Sequence, residues 1–230
     1  MGGCAPQTTV DPTAAKCGQQ CLKAAGDSDC DGLPDKGRDP WKTQCNRLLI
    51  NDDLAVSPGT PGSLWGVTNK HSWACGMMEL HPDARLDLAQ TSKIPVNILV
   101  EVKFALGKIT NAANWDVRIT TGHGSGASGY ACRVAVDKNL KTPGLHLVWG
   151  GCSGSLGIVS GFVDTPGTVY YLQSHFEGSK QTCRLIDAAG KVLAVRVISY
   201  CPKPKAGSGV RVSTHNRYAT VHHVRIFQGK

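Results

Sequence analysis

The strongest constraint on the fold is a recurrence of short strand-like runs from position 46 to the end of the chain. The runs are rich in Val, Ile, Thr, Tyr and Phe and are separated by clusters of Gly, Pro, Asn and Asp. Within 84–89 the polar Arg85 and Asp87 alternate with two leucines, so polar and apolar side chains point to opposite faces. No segment of helical period separates the runs. The pattern predicts an all-β fold in which two antiparallel sheets pack face to face.

Ten runs are predicted to form strands. They are Ala84–Ala89, Val96–Leu106, Trp115–Thr120, Tyr130–Asp137, Leu145–Trp149, Val169–Ser174, Thr182–Asp187, Lys191–Tyr200, Val210–Thr214 and Ala219–Gln228. Helix is predicted to be minor, with one turn near Thr13–Leu22. The 41% of hydrophobic residues can fill a core, which excludes wholesale disorder. No apolar run is long enough for a transmembrane helix.

The chain contains ten cysteines, five of them in the first 45 residues, where apolar residues are too sparse for an independent core. Disulfides commonly stabilise such segments. Zinc is the alternative, but the Cys17/Cys21 pair has no second close pair and no nearby His. We therefore predict a secreted or cell-surface protein with unspecified disulfide connectivity. The candidate cysteines are Cys17, Cys21, Cys30, Cys45, Cys75, Cys132, Cys152, Cys183 and Cys201.

The remaining cysteine, Cys4, follows two glycines and no leader is visible before it. We expect that a leader has been removed from an exported protein. Gly-Gly-Cys4 also resembles the junction of a bacterial lipoprotein, so a lipid anchor at Cys4 is the alternative to a disulfide. A lipidated Cys4 would leave an odd number of thiols, which argues against the anchor.

Charge is segregated along the chain. Residues 178–230 contain ten lysines and arginines but one acid, Asp187. A basic surface attracts polyanions through its summed field, although it can also serve solubility alone. We expect an acidic or neutral glycan as the partner, such as a cell-surface polysaccharide, and no nucleic acid in vivo.

The most specific motif is the acidic run 27–35, DSDCDGLPD. Its carboxylates stand at alternating positions, and Gly32 allows the sharp bend of a loop around an ion. The glutamate expected at the twelfth position of an EF-hand loop is replaced by Arg38. The spacing predicts one structural Ca²⁺, with a solvated acidic turn as the alternative. Its predicted ligands are Asp27, Asp29, Asp31, the Leu33 carbonyl and Asp35.

The acidic run with its interleaved Cys30 resembles a thrombospondin type-3 repeat, over residues 25–45 only. That resemblance implies the four aspartates as calcium ligands and a spacer that precedes a globular domain. We predict a Cys-rich stem over 1–45 and a β-sandwich over 46–230.

The larger region resembles concanavalin-A-like jelly rolls, in particular laminin-G-like domains. The resemblance is carried by the 48–53 run leading into Trp65 and Trp73, by 100–104, by 167–172, by the hairpin around 190–194 and by the closing strand 219–227. It implies two curved antiparallel sheets, of which the concave one often faces a glycan.

Members of this superfamily include glycoside hydrolases, and retaining hydrolysis needs two carboxyl groups about 5–5.5 Å apart. The chain has only Glu79, Glu101 and Glu177 as glutamates, and none has an acid two or three residues away in a strand. The Glu-x-Asp metal pattern of legume lectins is also missing at Glu101-Val-Lys103. The adjacent His222 and His223 point to opposite faces of a strand and cannot chelate one ion together.

These observations favour a non-catalytic extracellular binding module for an anionic glycan. A structural or adhesive protein that binds another protein is the first alternative, and a glycoside hydrolase-like enzyme is the second. The turn at 188–190 would place Arg184 opposite Val195 or Arg196, and two arginines on one face repel unless an anion bridges them. We therefore predict that the ligand is bound by Arg184, Arg196, Lys203, Lys205 and Arg211.

Overall fold

The alternating runs form strands that pair into two sheets. The computed structural model describes residues 47–52, 54, 63–74, 77–88, 95, 97–123, 129–137, 140–149, 152–199 and 209–228, and no helix occurs within these ranges. In chain order the strands are β1 (Arg47–Asp52), β2 (Trp65–Thr68), β3 (His71–Ala74), β4 (Met77–Leu80), β5 (Arg85–Leu88), β6 (Ile98–Ile109), β7 (Trp115–His123), β8 (Tyr130–Asp137), β9 (Leu140–Trp149), β10 (Cys152–Ile158), β11 (Val169–Glu177), β12 (Lys180–Asp187), β13 (Val192–Ile198), β14 (Gly209–His215) and β15 (Arg217–Gln228). The predicted stem, its calcium loop and its helical turn lie outside the described residues.

Both sheets are antiparallel. One has eight strands in the order β13-β12-β11-β6-β15-β4-β3, with β1 also paired to β15, and the other has seven in the order β10-β9-β8-β7-β14-β5-β2. Strands that are distant in sequence become neighbours, as where β14 lies between β7 and β5. This arrangement confirms the predicted antiparallel jelly-roll sandwich.

The core between the sheets is filled by the apolar face of each strand. Val100, Val102 and Phe104 of β6 are at most 1% exposed, and Leu86 of β5 is fully buried. Their polar neighbours in sequence lie on the opposite faces, as period-two alternation requires. The facing predicted for the 84–89 run, which forms β5, is confirmed.

A disulfide joins the two sheets through the core. Cys132 of β8 and Cys183 of β12 are bonded, with their Cα atoms 5.5 Å apart and a sequence separation of 51. A loop of that length corresponds to about 4 kcal/mol of stabilisation in the chain-entropy model. The bond confirms two of the predicted disulfide cysteines. The side chains of the other candidates lie outside the part of the chain that the structure describes.

Strand β10 was not predicted, because its sequence, CSGSLGI, is rich in Gly and Ser, which have low strand propensity. Pairing with β9 makes it a strand, with Leu156 opposite His146 and Gly157 opposite Leu145. A side chain at Gly157 would collide with the guanidinium group of Arg196. The glycine therefore lets β10 of one sheet approach β13 of the other.

Candidate functional site

The predicted hairpin site is divided by the strand register. Arg184 pairs with Val195, whereas Arg196 pairs with Cys183. Directly paired residues share a face and successive residues alternate, so Arg184 and Arg196 lie on opposite faces of the sheet. The prediction that their guanidinium groups share a face is wrong. It required Arg184 to pair with Arg196, and the observed pairing is shifted from that register by one residue. Arg184 is also buried, with 5% of its surface exposed.

Arg211 instead lies on the outer face of the seven-stranded sheet, among polar side chains from five strands. Lys203 and Lys205 fall outside the described residues. One cross-strand row of this face runs from β5 to β9 and contains Arg85, Ser213, Arg118, Arg133 and His146 in register. We call this set the arginine row.

A second row lies beside the arginine row, displaced from it by two residues on each strand. Asp87 pairs with Arg211, which pairs with Thr120, which pairs with Ala131. On the other side of the arginine row, His215 pairs with Asp116. Most side chains at the centre of this outer face are therefore charged.

Asp116 holds two arginines of the row together. It accepts two hydrogen bonds from Arg118, at 2.8 Å from Nε and 2.5 Å from Nη2, and one from Arg133 Nη1 at 3.3 Å. Two arginines directly opposite on neighbouring strands repel each other, and the carboxylate between them relieves that repulsion. The side chain of Asp116 is 2% exposed, whereas Arg118 and Arg133 are 33% and 21% exposed. Together, Asp116, Arg118 and Arg133 carry a net charge of +1.

The other two aspartates of this face are also engaged. Arg211 Nε donates to Asp87 Oδ1 at 2.6 Å, which makes a neutral pair. Asp83 Oδ1 lies 2.6 Å from His215 Nδ1. Asp83 has a left-handed backbone conformation, with φ of 64°. Each carboxylate of the face is therefore held by a cation or an imidazole.

Arg85 differs from the other arginines of this face, which are paired with aspartates. Its guanidinium group forms no hydrogen bond or ion pair within the described structure. It is exposed and opens onto a cavity of about 190 Å³ between β5, β14 and β7. The lining residues are Asp83, Arg85, Arg118, Thr120, Arg211, Ser213, Thr214 and His215. The cavity is smaller than the roughly 300–1,000 Å³ of pockets for drug-sized ligands, so it suits one small polar unit.

Sequence reasoning included Arg211 but missed Arg85, Arg118 and Arg133. The signal that could have found them is the alternation in β5, β7 and β8, which places an arginine on the polar side of each strand. That these three strands contribute to one row depends on sheet order, which local alternation does not specify.

The outer face of the eight-stranded sheet holds a second polar cluster, centred on Glu101. Gln173 Nε2 donates to Glu101 Oε2 at 2.8 Å, and His223 and Arg225 lie 3.5 and 3.6 Å from Oε1. Glu101 is fully buried. Burial lowers the pKa of His223, against the raising effect of its contact with Glu101. The Glu101 carboxylate therefore does not reach solvent.

His175 also lies on this face of the eight-stranded sheet. Burial and then the positive charges of Arg184 and Lys180 lower the pKa of His175 to about 4. The imidazole is therefore neutral at pH 7, which agrees with a side chain that is 6% exposed.

Within the described ranges, no group of three or more His, Cys, Asp or Glu residues could hold a metal ion. The calcium site predicted at 27–35 is outside those ranges. The part of the chain that the structure describes contains no helix long and apolar enough to cross a membrane.

No protein-family model and no curated protein sequence matches the chain. Solved structures are similar to it in fold. The CBM2 module of the evolved Dit protein from Lactobacillus casei BL23 phage J-1 has a TM-score of 0.57 at 10% identity, over 81% of this chain and 97% of that one. The exoplasmic/lumenal domain of VIP36, in a form bound to Ca²⁺ and Man2, has a TM-score of 0.56 at 11% identity, over 77% and 87% of the two chains.

A β-glucanase from Bacillus licheniformis has a TM-score of 0.55 at 12% identity, over 79% of this chain and 98% of that one. A phage CBM2 module, a lumenal domain and an enzyme thus share the architecture, and at these identities the similarity shows the fold alone. The described part of the chain has the concanavalin-A-like jelly-roll fold that the sequence predicted.

Proposed function

We propose that the protein is an extracellular, non-catalytic module that binds an anionic glycan on the outer face of its seven-stranded sheet. The observation that carries the proposal is Arg85, an exposed guanidinium group that has no partner among the described residues and opens onto a polar cavity beside Arg118 and Arg211. Arginine offers a planar fork of donors that matches carboxylates and sulfates. The VIP36 domain, which is similar in fold and was solved in a Man2-bound form, lends support to a sugar as the ligand.

The state of the aspartates favours binding over hydrolysis. A retaining or inverting hydrolase needs one carboxyl group that donates a proton and a second that acts as nucleophile or base. Here Asp87 and Asp116 each accept hydrogen bonds from arginine. Incubation with the bound oligosaccharide and measurement of new reducing ends distinguishes the hydrolase alternative. Binding to a protein and to no glycan would favour the adhesive alternative.

The test of the proposed function is binding to a panel of acidic and neutral glycans, measured as dissociation constants at several salt concentrations. The wild-type protein is expected to bind acidic glycans, with affinity that falls as salt rises. Arg85→Ala is expected to weaken that binding about tenfold, since a hydrogen bond to a charged group contributes about 1.5–3 kcal/mol and exposure reduces it.

Lys191→Ala is the matched control, because it also removes one positive charge from an exposed position, at the turn between β12 and β13. The control should bind like the wild type. Equal loss in both variants would mean that only net charge matters, and an unchanged affinity of Arg85→Ala would exclude this face as the site.

We keep the structural Ca²⁺ at 27–35 as a second proposal, which rests on the spacing of its four aspartates. Titration calorimetry on demetallated protein should show binding of one Ca²⁺ that Asp29→Ala removes. Absence of heat with the wild type would end that proposal. Roles for Lys203 and Lys205 in glycan binding, a lipid anchor at Cys4 and secretion likewise remain predictions.

A further inference from the structure

The cavity beside Arg85 is lined by two hydroxyl groups that the described residues leave unbonded. Ser213 and Thr120 line it, and they are only 6% and 8% exposed. Neither hydroxyl has a hydrogen-bond partner within the described structure. Because buried polar side chains are nearly always hydrogen-bonded, two such hydroxyls in one small cavity indicate a ligand that supplies acceptors.

Two arginines add further donors to the same cavity. Arg118 engages Asp116 through Nε and Nη2, so its Nη1 has no partner among the described residues. Arg85 keeps its whole planar fork of N–H groups. Since Arg85 belongs to β5, Ser213 to β14, and Arg118 and Thr120 to β7, donor groups line the cavity from three neighbouring strands.

The groups around the cavity carry a net positive charge. Asp87 and Asp116, which lie beside it, are already neutralised by arginines. Asp83 is the remaining acid of the lining, and its Oδ1 lies 2.6 Å from Nδ1 of His215. Arg85 balances the charge of Asp83, and Asp116 with its two arginines adds +1. An anion is therefore attracted into the cavity.

We infer that the cavity binds one tetrahedral oxyanion, a sulfate or phosphate ester on a sugar of the glycan. A carboxylate offers two oxygens in one plane, whereas such an ester offers three terminal oxygens that point in different directions. The fork of Arg85 binds two of these oxygens, and Ser213 together with Arg118 Nη1 binds the third. This inference rests on the proposed function and names the acidic group of its ligand.

The experiment compares three sugars that differ in the acidic group at the same carbon: glucose 6-sulfate, glucose 6-phosphate and glucuronic acid. They are titrated into the full chain at constant ionic strength and followed by calorimetry. We expect glucose 6-sulfate to bind about fivefold more tightly than glucuronic acid, which carries the same charge at neutral pH, because the third oxygen accepts a further charge-assisted hydrogen bond. If glucose 6-phosphate is instead the tighter ester, the natural group is a phosphate.

Three variants test the placement of the ester in this cavity. Ser213→Ala should remove most of the preference for the ester and leave the affinity for glucuronic acid unchanged. Asp83→Asn should tighten binding of the ester about twofold, because it removes a like charge, and asparagine tolerates the left-handed backbone at this position. Lys191→Ala should bind all three sugars like the wild type.

The outcomes separate this inference from the proposed function. If Arg85→Ala leaves the binding of acidic glycans unchanged, the proposed function fails and the inference fails with it. If acidic glycans bind through Arg85 but neither ester binds more tightly than glucuronic acid, or neither ester binds, the proposed function holds and the oxyanion site is refuted. A preference for the ester that persists in Ser213→Ala, or weaker binding of the ester to Asp83→Asn, also refutes it.

Discussion

Removing Asp164 should destabilise the fold more than removing its buried partner, Arg217. Arg217 begins β15 and is fully buried, and its Nη1 donates to Asp164 Oδ1 at 2.5 Å. Its guanidinium carbon lies 4.3 Å from the centre of the Trp115 ring. Within the ranges that the structure describes, the Nε and Nη2 atoms of Arg217 have no hydrogen-bond acceptor. Asp164→Ala therefore leaves a buried cation with no anionic partner, whereas Arg217→Met removes the charge itself.

The magnitudes follow from this asymmetry. Breaking a buried ion pair from one side costs about 3–5 kcal/mol, and replacing the charge by an apolar residue of similar volume is often neutral or stabilising. Since Asp164 is 30% exposed, we take the lower value of about 3 kcal/mol for Asp164→Ala. Arg217→Met loses a cation–π contact of about 2 kcal/mol, but it also removes the cost of burying a charge. We therefore expect a net change in stability of about 1 kcal/mol or less.

Urea denaturation followed by tryptophan fluorescence measures both values, with Glu177→Ala as an exposed control. A loss of 3 kcal/mol corresponds to a decrease in Tm of about 6–12 °C for a domain of this size. The reasoning is refuted if Asp164→Ala stays within about 1 kcal/mol of the wild type, a margin typical of exposed pairs, or if Arg217→Met is the more damaging change.

Three further predictions concern other positions. The depressed pKa of His175, about 4 in the folded state against 6.5 for an ordinary histidine, means that the unfolded chain binds a proton first as the pH falls. The free energy of unfolding should therefore decrease by about 3 kcal/mol between pH 7 and pH 4, and His175→Gln should reduce this decrease in urea titrations. Asp116→Asn should lower stability by about 2–3 kcal/mol, since its two arginines are only partly exposed, yet lengthen retention on a heparin column; shorter retention would contradict the charge assignment. Gly157→Ala should push aside the guanidinium group of Arg196, the flexible end of a half-buried side chain, and lower stability by about 1 kcal/mol, the low end for overpacking; a loss above about 3 kcal/mol would contradict this and show that Arg196 cannot move.

Local alternation was sufficient to predict much of the sandwich. In β5 and β6 the period of two is a property of neighbouring residues, so the side that faces the core can be identified before any partner strand is known. The positions of Arg85 and Glu101 on the outer faces follow from that rule. Strand β10 could not be predicted from that rule, because its glycines and serines do not alternate in polarity. They form a strand only by pairing with β9.

The candidate site, in contrast, depends on tertiary structure. Arg85, Arg118 and Ser213 belong to three strands, and Ser213 is 95 residues after Arg118 in the sequence. Sheet order brings them into one row, and no local pattern specifies that β14 lies between β5 and β7. The hairpin shows how sensitive such predictions are. An offset of one residue pairs Arg196 with Cys183 instead of Arg184, and because successive side chains alternate, that offset places the two arginines on opposite faces.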